Sequence, residues 1–295
     1  MNKDNSITII MPVYNSEKYI KYSIKSILNQ SYRDLKLLII DDGSNDSSVE
    51  IIKKIKDDRI KLYENNHKGL IDTLNFAVQK VNSKYIARMD SDDISHPDRL
   101  KEQLKILIQK DADVCGCSYF SINNKSVILN EYIMPTKQYE FPIKLSRNVP
   151  FCHGSLLAKT EIFKRYKYGN CNTNQTNEDF NLWIKMLNNN VKFANTEKKL
   201  YYLRVHNESI SKKNKRFKEI SKFAHNRYII NNKEKLLKIL NSKNIFYFCF
   251  LDLTPLIKDY LELFEKLSKG KKIINFPLKL LTIIILNFKN LLYIL

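Results

Sequence analysis

Four carboxylates crowd nine residues of the stretch ARMDSDDISHPDRL: Asp90, Asp92, Asp93 and Asp98. Side chains of one charge this close repel unless a cation sits among them. Hard oxygen donors in a strand-to-helix turn suit Mg2+ or Mn2+, with diphosphate oxygens completing the shell. A lone D-x-D is a weak signal, because Asp is common in turns and at helix N-termini. Asp98, behind Pro97, reads as such a helix-start residue, and Asp93 fits either role. Two more acidic stations follow the same logic. Asp41-Asp42-Gly43-Ser44 is either an Asx-type turn with Gly43 at the bend or a carboxylate placed to accept the imide N–H of a uracil ring. Glu178-Asp179 is either charge at a helix start or a general base for an acceptor hydroxyl. No G-x-G-x-x-G follows the first apolar run and no G-x-x-x-x-G-K-[ST] occurs, so dinucleotide-binding and P-loop readings lack their glycines.

The elements that must hold these residues are legible from periodicity. ITIIMPVYN (7–15), LKLLIIDDGSND (35–46), RIKLYEN (59–65), KYIARMD (84–90) and ADVCGCSYFSI (112–122) read as strands. EKYIKYSIKSILNQ (17–30), SSVEIIKKIK (47–56), KGLIDTLNFAVQKV (68–81) and PDRLKEQLKILIQK (97–110) read as helices between them. This alternation indicates an α/β, doubly wound, mainly parallel sheet. Ligands of such sheets bind beyond the carboxyl ends of the strands. Tyr14-Asn15, Asp41-Asp42 and Asp90-Ser91-Asp92 all fall there, after the first, second and fourth strands. Residues 123–177 carry little pattern, apart from CHGSLLAK (152–159) as a short strand. NEDFNLWIKMLNNN (177–190) reads as a helix, and VKFANTEKKLYYLRVH (191–206) as a strand followed by a return strand.

Charge is uneven along the chain. Residues 1–100 hold 16 basic and 15 acidic residues, and the remainder holds 34 against 16. A basic excess points to nucleic acid, an anionic membrane or an acidic substrate, and lysine-rich coding bias is the plainer source. Cys115 and Cys117 sit two apart in an apolar run, and no C-x-x-C pair occurs, so the thiols read as core residues of a reducing compartment. The N-terminus MNKDNS is polar and offers no secretory signal. Near the other end, FPLKLLTIIILNFKNLLYIL (276–295) is apolar but carries Lys279 and Lys289. It is expected to lie along an inner leaflet rather than to span it, or else to pack on the domain or on another chain.

Together ITIIMPVYNSEKYIKYSIKSILNQSYRDLKLLIIDDGSNDSS, YIARMDSDDISHPDRL and NEDFNLWIKM resemble the inverting glycosyltransferase family 2, of GT-A fold. The likeness is specific over about residues 5–110, sparser to about 210 and absent beyond. It implies a GT-A domain over 1–210, while the composition beyond it gives the expectation of a basic, apolar helical region over 211–295, in contact with membrane or a second copy of the chain. It implies that Pro12, Val13 and Tyr14 line the nucleotide pocket, that Asp42 binds the uracil ring, and that Arg88 and Ser91 lie by the donor. Asp92 is then the direct ligand of Mn2+ or Mg2+, with Asp90 nearer the ribose and diphosphate, and Asp179 the catalytic base. Glu178 and His153 would serve as a second acid or an acceptor contact. Arg204 would meet the diphosphate and His206 the metal or diphosphate. His67, His96 and His225 have no matching context and read as surface residues.

The activity so implied is inverting transfer of a sugar from a UDP-sugar to a glycan or lipid-linked saccharide, in cell-envelope glycoconjugate synthesis at the cytoplasmic face of the inner membrane. Two alternatives belong to other classes. A sugar-nucleotide nucleotidyltransferase would show a glycine-rich, Arg/Lys-bearing segment after the first strand, where this chain has MPVYNSEKY. A non-enzymatic basic module for membrane or nucleic acid would bind in a steeply salt-dependent way. The acidic stations argue against nucleic acid at the pocket.

Overall fold

A computed structural model describes residues 5–146, 148–169 and 178–206, with positions 225, 228–232, 234–236 and 239. The apolar runs become the centre of one sheet. β1 (Ile7–Val13) buries every residue, and β2 (Leu35–Asp41) exposes only Lys36, the pattern of strands covered on both faces. With β3 (Ile60–Glu64) and β4 (Tyr85–Arg88) they lie parallel in the order β3-β2-β1-β4. The crossovers are α1 (Ile20–Leu28), α2 (Ser48–Lys53) and α3 (Leu70–Lys80).

Helical spacing decides which side chains reach the sheet. α1 buries Ile20, Ile24 and Ile27, and α4 (Arg99–Gln109) buries Leu100, Leu104 and Leu107, all in one cluster with Ile9, Met11, Leu37 and Ile39. Leu74, Ala77 and Val78 of α3 are buried outside that cluster, against β1 and β2. A large aliphatic side chain contributes about 1.5–3 kcal/mol on full burial, so these faces dominate the cohesion of the domain.

Beyond β4 the sheet continues through β8 (Leu157–Lys159), β6 (Val114–Ile122), β9 (Phe193–Arg204) and the short β5 (Ile94–Ser95). β7 (Ile128–Tyr132) pairs with the end of β6. Strands β1, β2, β3, β4, β6 and β9 share one direction, so the sheet is mainly parallel. Cys115 and Cys117 of β6 are buried free thiols, and burial raises the Cys117 thiol to about 11.

Two expectations change. Residues 191–206 do not form a strand and its return: Phe193–Arg204 is one strand parallel to β6. The polar Glu197-Lys198 look like a turn in sequence, but they are the extra residues of a bulge. Thr196 pairs with Cys117 and Lys199 with Ser118, so the register slips across them. Residues 152–159 are a strand only from Leu157, and His153–Ser155 is a 3-10 turn. The patternless middle also contains β7, α5 (Glu140–Leu145) and α6 (Thr160–Arg165), each too short to show a period. The chain divides into two compact units, residues 1–231 and 232–295, and the elements named here lie in the first. The apolar segment 276–295 lies outside the described residues. No helix among the described residues is long and apolar enough to cross a membrane.

Candidate active site

The D-x-D turn leaves β4 at Arg88, whose buried guanidinium grips Asp90 with two bonds, Nη1 to Oδ2 at 3.0 Å and Nη2 to Oδ1 at 2.9 Å. Burial alone would disfavour the charge on Arg88, but the Asp90 carboxylate outweighs it and holds the guanidinium protonated. Burial pushes Asp90 above the ordinary carboxylate range against the pull of Arg88. Asp92 turns the other way, with Oδ2 2.9 Å from Nε2 of His206. Ser91 points back to the end of β1, its Oγ 2.6 Å from that of Ser16. Asp93 is buried beneath the turn, where Oδ1 accepts the Arg204 N–H at 2.7 Å. Burial first, and then the charges of Asp92 and Asp90, raise Asp93 well above its usual range. Asp98 directly precedes α4 but does not cap it; its Oδ1 accepts from Ser31 Oγ at 2.8 Å.

The support beneath this turn was not legible in the sequence. Tyr201 of β9 is fully buried, and its hydroxyl accepts the Asp90 N–H at 3.2 Å. Gly154 packs so closely on Tyr201 and Asp90 that a Cβ there would clash with both. Arg99 is fully buried without a carboxylate and donates to the Arg88 carbonyl at 3.0 Å and to Ser95 Oγ at 2.8 Å. Arg204 is also spent structurally. Its Nε donates to the Asp92 carbonyl at 2.7 Å, its Nη1 donates to the Asn123 carbonyl at 2.8 Å, and its guanidinium covers the Tyr19 ring.

At the end of β2 the two carboxylates divide the work. Asp41 Oδ2 accepts the N–H of Gly43 and Ser44, and Gly43 takes φ +77°, which makes the tight turn. Asp42 Oδ1 and Oδ2 accept the N–H of Lys68 and Gly69, each at 2.9 Å, just before α3. Pro12 and Val13 are buried at the end of β1, and Tyr14 stands out at 47% exposure. Tyr14 stacks on His67, centroids 4.3 Å apart, and His67 Nδ1 lies 3.0 Å from Asp42 Oδ2. His67 is thus at the surface, as its lack of context suggested, yet it packs against Tyr14 and Asp42. His96 and His225 are instead half-buried, the latter against Phe180.

The third station opens α7 (Glu178–Asn188). Buried Trp183 anchors the helix edge-on against Phe151 and Phe193. Asp179 Oδ1 accepts the Phe180 N–H at 2.7 Å, and burial raises its carboxyl. Burial and the neighbouring Asp179 raise Glu178 to about 7. His153 Nδ1 lies 3.8 Å from Glu178 Oε1, and its Nε2 lies 2.9 Å from the Tyr168 hydroxyl. Burial holds His153 neutral. Both carboxyls of this station feel the charges of Arg88 and Asp90, so the D-x-D turn and the Glu178-Asp179 pair share one electrostatic neighbourhood around Arg88.

A mainly parallel α/β sheet with acidic stations beyond its strand ends has the layout of a nucleotide-binding α/β enzyme. Comparison with known proteins is more specific. The model of Glycosyl transferase family 2 matches residues 8–167. The chain is 32% identical to the O-antigen biosynthesis glycosyltransferase WbnJ of Escherichia coli, over 82% of this chain and 95% of that one. It is 30% identical to the UDP-Glc:alpha-D-GlcNAc-diphosphoundecaprenol beta-1,3-glucosyltransferase WfgD of Escherichia coli, over 74% and 84% respectively. Among solved structures, S. aureus TarS 1–349 with UDP-GlcNAc superposes with a TM-score of 0.60 at 19% identity, covering 90% of this chain and 74% of that one. The chain belongs to glycosyl transferase family 2 and is a glycosyltransferase.

Proposed function

We propose that the protein transfers a sugar from a UDP-sugar to a lipid-linked saccharide with inversion, at the cytoplasmic face of a membrane, in cell-envelope glycan synthesis. The observation that supports this reading is the D-x-D turn beyond β4, with Asp90 held by Arg88 and Asp92 beside His206. The donor and acceptor classes are those in the names of its relatives: a diphosphoundecaprenol-linked sugar for WfgD, and UDP-GlcNAc bound to TarS.

The donor set fits a divalent cation. Among the described residues no three His, Cys, Asp or Glu side chains converge on one point. A cation here would take Asp92, with His206 beside it, and complete its shell with diphosphate oxygens and water, as Mg2+ and Mn2+ do. Asp90 is engaged by Arg88 and serves the ribose and diphosphate side. The bound ion would supply charge neutralisation for the leaving diphosphate. Arg204 holds the Asp92 backbone from behind. The stacked Tyr14–His67 pair would lie on one side of the base, with Asp42 at its edge.

Asp179 takes the proton from the acceptor hydroxyl, which attacks the anomeric carbon from the face opposite the leaving group. Burial strengthens Asp179 as a base, and the positive charge of Arg88 favours its ionised form. An α-linked donor then gives a β-linked product. Residues 1–210 carry this chemistry, and 211–295 supply membrane or self contacts. The test is Asp179→Asn assayed against a panel of nucleotide sugars. Turnover falls about 10²–10⁴-fold, the usual share of a general base, while UDP-sugar affinity stays within a factor of two or so. Unchanged turnover would remove Asp179 from this role.

A further inference from the structure

Large apolar side chains exposed among the described residues are concentrated in one place. Val127, Ile128, Leu129, Tyr132 and Ile133 are each 39–57% exposed and fall within seven residues. Every residue of β7 is exposed. Exposed apolar side chains clustered in this way mark an interaction surface.

The hairpin that carries it is built, not loose. Asn123 Oδ1 accepts the N–H of Lys125 at 2.9 Å and of Val127 at 3.0 Å, and Ser126 takes φ 62° to close the turn. The turn is fastened to the D-x-D segment through a single side chain. Arg204 donates from Nη1 to the Asn123 carbonyl at 2.8 Å and to Ser126 Oγ at 3.1 Å, and from Nε to the Asp92 carbonyl at 2.7 Å.

The pattern selects the partner. A strand that extends another protein's sheet buries one face and keeps polar residues on the other. Val127-Ile128-Leu129 are consecutive, so they present apolar groups to both faces. That suits a medium that is apolar all round. Lys125 sits at the turn, where its ammonium can meet anionic headgroups while its stem follows the apolar residues. Glu131 is the only acid between residues 123 and 133, and Lys199 neutralises it at 2.6 Å.

We propose that the β6–β7 hairpin is a lipid-docking element: its tip enters the headgroup boundary of an anionic bilayer and sets the D-x-D turn at the membrane surface. The advantage to catalysis rests on the lipid-linked acceptor proposed above; the docking itself does not.

The full chain is tested on vesicles of phosphatidylcholine and phosphatidylglycerol. Trp183, the only tryptophan, is fully buried, so Leu129→Trp introduces a reporter of its own. Brominated acyl chains should quench that reporter and leave the wild-type emission unchanged. Val127→Ser/Ile128→Ser/Leu129→Ser should lower vesicle partition about tenfold or more, given three lost apolar side chains. It should retain UDP-sugar hydrolysis in vesicle-free solution, and folding is checked by an unchanged melting transition. Hydrolysis that fails already in the wild type would count against the donor reading and leave the docking result standing. An unquenched Leu129→Trp, or partition unchanged in the triple variant, would overturn the proposal. A wild-type dimer that the triple variant dissolves, with no vesicle effect, would assign the face to a second copy instead.

Discussion

Glu178→Gln separates the cost of the site from its use. Glu178 is 14% exposed, and its carboxyl is raised from an ordinary 4.5 to about 7 by burial and by Asp179. The unfolded chain releases this proton near 4.5, and the folded chain near 7. Between these values the folded state binds more protons, so stability falls as pH rises. Above about 7 the full penalty is in place, roughly 3 kcal/mol at about 1.4 kcal/mol per pKa unit. Below 4.5 none of it remains. Gln keeps the shape and never ionises, so Glu178→Gln should gain on the order of 3 kcal/mol at pH 8 and little at pH 4.5. Urea titrations at both values read the difference directly, since a change in midpoint without a change in slope is a change in stability. Part of the gain will be shared with Asp179, whose carboxyl is released from a like charge when Glu178 is neutral. A variant that is equally stable at both values relative to wild type would refute the buried, strained carboxyl. The same variant assayed for transfer tells whether the strain serves turnover, because stabilising changes at such sites commonly reduce activity.

Other consequences follow from the same geometry. Asp92→Ala should abolish the metal dependence of UDP-sugar binding in calorimetry, and full activity in excess EDTA would exclude the cation altogether. Gly154→Ala forces a methyl group onto Tyr201 and Asp90; overpacking of this kind costs about 1–3 kcal/mol, seen as a lower melting temperature together with weaker donor binding. His67→Ala removes the ring stacked on Tyr14, and an aromatic pair is worth about 0.5–1.5 kcal/mol. The KM for the donor should therefore rise several-fold with kcat unchanged, and a fall in kcat alone would place His67 elsewhere.

What could be read in the sequence was what repeats or what carries charge. β1 and β2 announce themselves because strands buried on both faces are apolar at nearly every position. α1 and α4 do so because their buried residues recur at helical spacing. The acidic stations stand out because Asp at strand ends is chemically conspicuous. Their supports did not, since Tyr201 and Tyr168 are ordinary aromatic residues until the fold brings them to Asp90 and His153. Arg204 stands out only through the family resemblance, and nothing in the sequence shows that its guanidinium bonds the Asp92 and Asn123 carbonyl groups. β9 reads as two strands in sequence for a related reason: Glu197-Lys198 have turn-like polarity, and only the pairing with β6 shows that they are a bulge.

The supports explain why the site can hold so much like charge. Asp90, Asp93, Glu178 and Asp179 are all raised, with burial the leading cause in each. Arg88 is the cation common to Asp90, Glu178 and Asp179, and Arg99 bonds its carbonyl rather than another carboxylate. Arg99 thus sets the position of Arg88 without competing for the acids. Arg204 plays the matching part for Asp92, bonding the backbone carbonyl and leaving the carboxylate to His206. Two buried arginines fix main-chain atoms, leaving the Asp90 carboxylate to Arg88 and the Asp92 carboxylate to His206. Charged groups held this firmly need not reorganise when a ligand's charge changes beside them.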